Sequence, residues 1–282
     1  MLSRRSFITT SAIATTSLLL AKQQLLAAPR KNRLKKIGYI SGIISKELNG
    51  DWKSILKQTV DFGFTEIEIG KFLGDSASGF LGYCKDIGIK PIAGGISFTE
   101  KEDELKKKLD DLAELNLKYA VNYWPWLTGG PFKLEDCKRS AEKLNSLGET
   151  CLKHGLTLCW HNHDKEFIAM EDGLPFDYLM GHTDKNLVKC EMDIYWVAKG
   201  GADPLAILKK YAGQIPILHV KDMASGESKD FECAGSGIID FPAIFKEAAE
   251  QGIEHYFVER DKVVDGMACL KSSGTYLKNL AF

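Results

Sequence analysis

The sequence predicts a single-domain α/β fold, a (β/α)8 barrel. Three observations predict it. Short apolar runs recur eight times after residue 32, segments of helical spacing separate them, and polar residues collect at the carboxyl ends of the later runs. The runs are Ile37–Ser41, Glu66–Gly70, Pro91–Ser97, Tyr119–Trp124, Leu156–His163, Val188–Trp196, Ile215–Lys221 and His255–Asp261. Eight strand–helix units in about 250 residues match the count and length of this fold. An open doubly wound sheet would carry a phosphate-binding fingerprint after its first strand, and Ser41-Gly42-Ile43-Ile44 is not one.

The intervening segments justify the helices. Asp51–Phe62 places Trp52, Ile55, Leu56 and Val60 on one side, and Lys101–Leu115 does the same with Leu105, Leu109, Leu112 and Leu115. Glu135–His154 is long and charged, with Leu144, Leu147 and Cys151 on a stripe. Asp240 caps a segment carrying Phe241, Ile244, Phe245 and Ala248. Gly63, Gly88, Gly155 and Gly252 end helices shortly before the next strand, as glycines at left-handed caps do.

Composition narrows the function classes. The chain has 282 residues, 44% of them hydrophobic and 27% charged, which excludes disordered and fibrous classes. Lys and Arg number 37 against 38 Asp and Glu, so there is no basic footprint for nucleic acid. The seven cysteines are scattered without CxxC spacing and read as buried thiols rather than a disulfide framework.

Residues 1–30 read as an export signal and residues 31–282 as the barrel domain. Arg4-Arg5-Ser6-Phe7-Ile8 precedes an uncharged stretch from Ser6 to Ala21, and Ala27-Ala28 offers a small-residue exit. The stretch is about 16 residues, short of the roughly 20 that span a bilayer, so no stable membrane anchor is expected. The paired arginines resemble a twin-arginine signal, which implies periplasmic localisation; an ordinary secretory signal is the alternative.

Side chains alternate faces with period two along a strand, so candidate site residues can be sorted. His161 and His163 share a face, as do Glu191 and Asp193, His219 and Lys221, and Glu259 and Asp261. Turned inward, His161, Asp193, His219 and Glu259 lie on four consecutive strands at similar height. Two imidazoles and two carboxylates suit one divalent ion, Mn²⁺, Co²⁺, Zn²⁺, Fe²⁺ or Mg²⁺. Glu68, inward with Glu66 on the second strand, His163 and Lys221 are further candidates for proton transfer or charge neutralisation. The reading gives Glu66 an ion pair low in the barrel. Trp124, Trp126 and Asn122 are candidate sugar contacts, because aromatic faces stack on sugar rings. Trp160, out of phase with His161, is expected under a helix. Gly235-Ser236-Gly237 reads either as a phosphate cradle or as a loop entering a capped helix.

The segments HNHDKEF, MDIYWVAKGGADP, LHVKDM, GSGIIDF and FVERD resemble the sugar phosphate isomerase/epimerase group of xylose isomerase-like TIM barrels. The resemblance covers essentially the whole chain after the leader. It implies one divalent metal held by Glu, Asp, His and Glu from the fifth to eighth strands. Asp193, His219 and Glu259 correspond to the last three. His161 stands where the family places a glutamate, so one member of the two-glutamate proton shuttle is missing. Glu166, beyond the strand, is the alternative fourth ligand. Glu259 combines ligand and base roles by the same resemblance.

The expected activity is metal-dependent isomerisation or epimerisation of a free sugar or keto-sugar through an enediolate. The alternatives are a 3-keto-glycoside lyase or sugar dehydratase acting by β-elimination, and a non-catalytic exported sugar-binding protein. The expected partner is a small carbohydrate; an assembly of identical chains is compatible with this reading. Replacing Arg4 and Arg5 by Lys should trap precursor in the cytoplasm, as fractionation would show. Normal export of that variant would leave the ordinary secretory route.

Overall fold

Each predicted strand forms, and the eight close on themselves. The structure is a computed structural model and describes residues 32–98 and 101–282. The leader read over residues 1–30 lies outside them. The strands are β1 (Gly38–Ile40), β2 (Glu66–Glu68), β3 (Lys90–Ile96), β4 (Tyr119–Asn122), β5 (Thr157–His161), β6 (Val188–Asp193), β7 (Ile217–Val220), β8 (Asp222–Met223), β9 (Phe231–Glu232) and β10 (His255–Val258). All but β8 and β9 are parallel and form a closed barrel in the order β1-β10-β7-β6-β5-β4-β3-β2. Pairing of Gly38 with Phe257 and Tyr39 with Val258 closes the ring. The short β8 and β9 pair antiparallel beside it.

The helices are α1 (Trp52–Phe62), α2 (Ala77–Ile87), α3 (Glu102–Glu114), α4 (Leu134–Lys153), α5 (Pro175–His182), α6 (Ile194–Lys199), α7 (Pro204–Lys210), α8 (Phe241–Glu250) and α9 (Gly266–Asn279). Their apolar stripes turn to the barrel as the spacing predicts: Leu109 and Leu112 of α3 and Leu144 and Cys151 of α4 are fully buried. Aspartates start several helices. Asp51, Asp240 and Asp265 each accept a backbone N–H from three residues on, which satisfies an otherwise orphan amide.

The strands carry two cores. Outward residues such as Tyr39, Ile67 and Leu218 pack under the helices. Inward residues Ile92, Tyr119, Val121, Cys159, Ile217 and Phe257 form a smaller apolar cluster inside the barrel. That plug separates two polar ends. At the amino-terminal end Glu66 pairs with His255 at 2.9 Å and faces Lys36 at 3.8 Å, the ion pair expected low in the barrel. The chemistry collects at the other end.

The barrel strands stop earlier than their apolar runs suggest, and three of these ends shape the mouth. The run Val188–Trp196 is strand only to Asp193, because the Asp193 carboxylate takes the Trp196 N–H at 2.9 Å and starts α6. The fourth run stops at Asn122, whose Oδ1 accepts the Trp124 N–H at 3.0 Å and turns the chain. The eighth stops at Val258, which leaves Glu259 on the rim.

The cysteine expectation is corrected. Cys233 and Cys269 form a disulfide with Cα atoms 5.6 Å apart, tying the segment after β9 to α9. Their 36-residue separation carries no spacing signal. Cys84, Cys137, Cys151, Cys159 and Cys190 are buried free thiols, as expected. No helix among the described residues is long and apolar enough to cross a membrane.

Thiol titration of the unfolded, unreduced protein should therefore count five groups, and seven after reduction. Cys269→Ser should cost about 2–4 kcal/mol in denaturant unfolding, the usual effect of losing such a link.

Candidate metal centre

Strand ends place the four predicted ligands together. His161 ends β5, Asp193 ends β6, His219 lies in β7 and Glu259 follows β10. One ligating atom from each falls within a group whose members all lie within 4.8 Å of one another. His161, Asp193 and His219 are buried, and Glu259 reaches the mouth with its side chain 17% exposed.

Two neighbouring side chains hold this geometry. Asn162 clamps β5 to β6: its Oδ1 accepts the Asp193 N–H at 2.9 Å and its Nδ2 donates to the Asp193 carbonyl at 3.3 Å. Asp193 itself divides its carboxylate. Oδ1 caps α6, while Oδ2 faces the centre, 3.0 Å from Lys221 Nζ and 3.8 Å from His161 Nε2.

Lys221, fully buried, sits among three carboxylates, 2.7 Å from Asp261, 3.0 Å from Asp193 and 3.2 Å from Glu259. Burial alone would lower its pKa, but these charges outweigh burial and hold it above the usual lysine value. Burial raises Asp193, against the pull of Lys221. It would also raise Glu259, yet Lys221 and His219 overcome it and keep that carboxyl well below the usual range. His219 is 2.7 Å from Glu259, 2.6 Å from Glu191 and 3.1 Å from Glu68; burial opposes protonation, but those carboxylates lift its pKa well above normal. Burial lowers His161 to about 4, and burial with Lys221 lowers His163 to about 4.

The remaining predicted residues divide. His163 is half-buried at the mouth, its ring 5.1 Å from His161, 5.2 Å from Trp124 and 5.3 Å from Trp196. Trp124 is at the mouth as expected. Glu68 does not line the mouth. It is enclosed beneath His219, with its other oxygen bonded to the Tyr123 hydroxyl. Gly95 makes this possible, since a Cβ there would collide with the Tyr123 ring.

Trp126 is corrected more fully. It is 2% exposed, stacks on Phe132 at 3.7 Å and donates its Nε1–H to Glu166 at 2.7 Å, so it is core. Asn122 is likewise fully buried and serves its turn rather than the surface of the mouth. Trp160 packs on Phe176 under a helix, in agreement with its phase. Glu166 is outside the ligand group: its carboxylate accepts from Trp126 and from the His163 N–H at 3.1 Å.

Several site residues escaped the sequence. Trp196 turns to the mouth because α6 begins where a continued strand was expected, and Lys221 Nζ lies 5.0 Å from its ring. Phe231 of β9 joins it at 5.5 Å, so Trp124, His163, Trp196 and Phe231 form an aromatic wall. Tyr123 continues the inward alternation of Tyr119 and Val121, a signal that was readable. On the opposite side, a cavity of about 380 Å³ reaches Glu259 and Asp261 and is bordered by Ile40, Ser45, Lys46 and Lys262.

The Gly235–Gly237 segment does cradle an anion, but an internal one. The Asp222 carboxylate accepts backbone N–H groups from Gly235 and Gly237 at 2.9 Å, from Ile239 at 3.1 Å and from Met223 at 2.8 Å. A Cβ on Gly237 would collide with that carboxylate. The phosphate alternative is thereby excluded at these amides.

The fold and this mouth define a class, and the chain belongs to it: the xylose isomerase-like TIM barrel family, whose model matches residues 56–272. The chain is 30% identical over 140 residues to an inosose dehydratase of Clostridium perfringens, covering 44% of this chain and 46% of that protein. Thus it spans about half the length of such curated relatives. A Geobacillus kaustophilus inosose dehydratase aligns more widely, 24% identical over 74% of this chain and 80% of its own. Among solved structures, a sugar phosphate isomerase/epimerase from Parabacteroides distasonis superposes with a TM-score of 0.73 at 26% identity, covering 88% of this chain and 94% of that one.

Glu166 yields a pH prediction. Burial pushes its pKa up to about 7, against the two N–H donors that favour the anion. The folded value exceeds the roughly 4.3 of an unfolded glutamate, so the folded state keeps a proton the unfolded state loses. Stability therefore falls as pH rises from about 4.3 to 7. Relative to Glu166→Gln, the wild type should lose on the order of 2–3 kcal/mol across that window. Unfolding curves with parallel pH dependence would contradict the assignment.

Proposed function

We propose that this protein is a divalent-metal-dependent enzyme that removes the proton α to the carbonyl of a free sugar or keto-sugar. The observation that carries the reading is the convergence of His161, Asp193, His219 and Glu259 within 4.8 Å at the carboxyl end of the barrel. The donors fit such an ion. Asp193 Oδ2 is buried without a completed hydrogen bond, and mixed imidazole–carboxylate sets suit borderline divalent cations. A divalent cation held there would polarise a substrate carbonyl and stabilise the charge that develops as the α-proton leaves.

The chain supplies the rest. Glu259, kept ionised by Lys221 and His219, is the base at the mouth. Lys221 offers an ammonium to a substrate oxygen from the same side. His163, uncharged at neutral pH, stands across the mouth as a second proton acceptor, between Trp124 and Trp196, which stack on the sugar. Glu68 acts from beneath through His219.

Return of the proton to carbon gives isomerisation or epimerisation; loss of a β-substituent gives a lyase or dehydratase. One observation favours elimination. The position facing Glu259 is an imidazole rather than a second glutamate, an asymmetric pair suited to a one-sided reaction. The inosose dehydratase relatives agree with it. We also propose action in the periplasm, which the leader and the Cys233–Cys269 disulfide support, since disulfides persist in oxidising compartments.

Mn²⁺- or Co²⁺-loaded protein incubated in D2O with aldoses, ketoses and 3-keto-glucosides tests the chemistry. Deuterium at the α-carbon supports proton abstraction, and released water or aglycone identifies elimination. Tight sugar binding without exchange would point to a binding protein instead. Asp193→Ala and His219→Ala should lose bound metal by elemental analysis. Glu259→Gln keeps an oxygen donor and should lower turnover by about 10²–10⁴, the range of a general base.

A further inference from the structure

Glu191 lies one inward step deeper than Asp193 on β6 and is fully buried. Neither of its carboxylate oxygens completes a hydrogen bond. Two imidazoles lie beside it: Oε1 is 2.6 Å from His219 Nε2 and 3.6 Å from His161 Nδ1. The other nitrogen of each ring points toward the ligand group, His219 Nδ1 toward Glu259 at 2.7 Å and His161 Nε2 toward Asp193 at 3.8 Å. One buried anion thus stands behind two imidazoles whose opposite nitrogens converge above it.

We infer that Glu191 is the positioning residue for both imidazole ligands, holding an N–H of each so that the lone pairs of His219 Nδ1 and His161 Nε2 face the metal. This inference rests on the metal reading given above. A neutral imidazole has one N–H and one lone pair, and which nitrogen carries the proton is set by the partner of the other. With Glu191 as that partner, His219 is protonated at Nε2 and His161 at Nδ1. Carboxylates behind metal-bound histidines orient the ring and raise its basicity. Glu68, 3.1 Å from the same His219 nitrogen and tied to Tyr123, adds a second acceptor to one ring only.

A competing arrangement uses the same atoms. Glu68, Glu191 and His219 also bring ligating atoms within 4.8 Å and would suit a second ion. That ion needs the lone pair on His219 Nε2, whereas the upper group needs it on Nδ1, and a neutral ring has only one. The lower group also gives no task to His161 Nδ1, which is buried, unpaired and directed at Glu191. Orientation by Glu191 accounts for both rings.

Glu191→Gln replaces the anion by one acceptor and one donor, so it cannot hold an N–H of both rings. Titration with Co²⁺ alone should show one ion per wild-type chain, and binding about 10–100-fold weaker in Glu191→Gln with altered visible absorption bands. Unchanged affinity and bands in the variant would overturn the inference. So would two ions per wild-type chain with the second lost in Glu191→Gln, since Glu191 would then be a ligand. Failure of the wild type to bind Co²⁺ would instead sink the metal reading, and this role with it. If Glu191→Gln does not fold, long-range ¹H–¹⁵N spectra of the Zn²⁺-loaded wild type decide. Protons on His219 Nε2 and His161 Nδ1 support the assignment; the opposite tautomers refute it.

Discussion

Closure of the sheet is the constraint on which the site depends. Once β1 pairs with β10, every second side chain of eight strands is confined to a narrow interior. The lower interior fills with Ile92, Tyr119, Val121, Cys159, Ile217 and Phe257, so no room remains there for polar groups. Inward polar residues are therefore restricted to the two ends. The four candidate ligands come from consecutive strands around the ring, and their proximity follows from that order rather than from any contact near in sequence.

Confinement also creates an electrostatic problem that the centre solves in part. Glu68, Glu191, Asp193, Glu259 and Asp261 crowd one end of the barrel, faced by Lys221 and two ligand imidazoles. Lys221 bridges three of these carboxylates. Without it, burial would favour the neutral forms of Asp193 and Glu259. The arrangement keeps Glu259 charged at the rim while His161 remains uncharged below, so opposite charge states coexist in one pocket.

Much of this was legible in the sequence, for a physical reason. Period-two alternation in HNH, EMD, HVK and VERD fixes which residues share the interior, and consecutive strands are neighbours in a barrel. That sufficed to foresee that His161, Asp193, His219 and Glu259 come together. What failed were the depths of Glu68 and Asn122 within their strands and the positions after a strand ends, where alternation no longer applies. Trp126 lies four residues past β4 and turns into the core, while Trp196 lies in α6 and turns out to the mouth. Their exchange of roles depends on Asn122 and Asp193 ending their strands with side-chain hydrogen bonds. Glu191 was on the correct face but one step deeper, and depth along a strand is set by barrel stagger, which a single strand does not encode. The Cys233–Cys269 pairing depends on a loop path with no local periodicity.

The loop that follows β9 carries a constraint on how this barrel can diversify. Three of its amides and one from β8 converge on the single Asp222 carboxylate, and Cys233 anchors its start to α9. An insertion or deletion between Cys233 and Ile239 would strip that buried anion of its partners. Substitution at the outward positions Ser236 and Ile238 would not. Variation among descendants of this chain should thus enter this stretch as changes of side chain at fixed length.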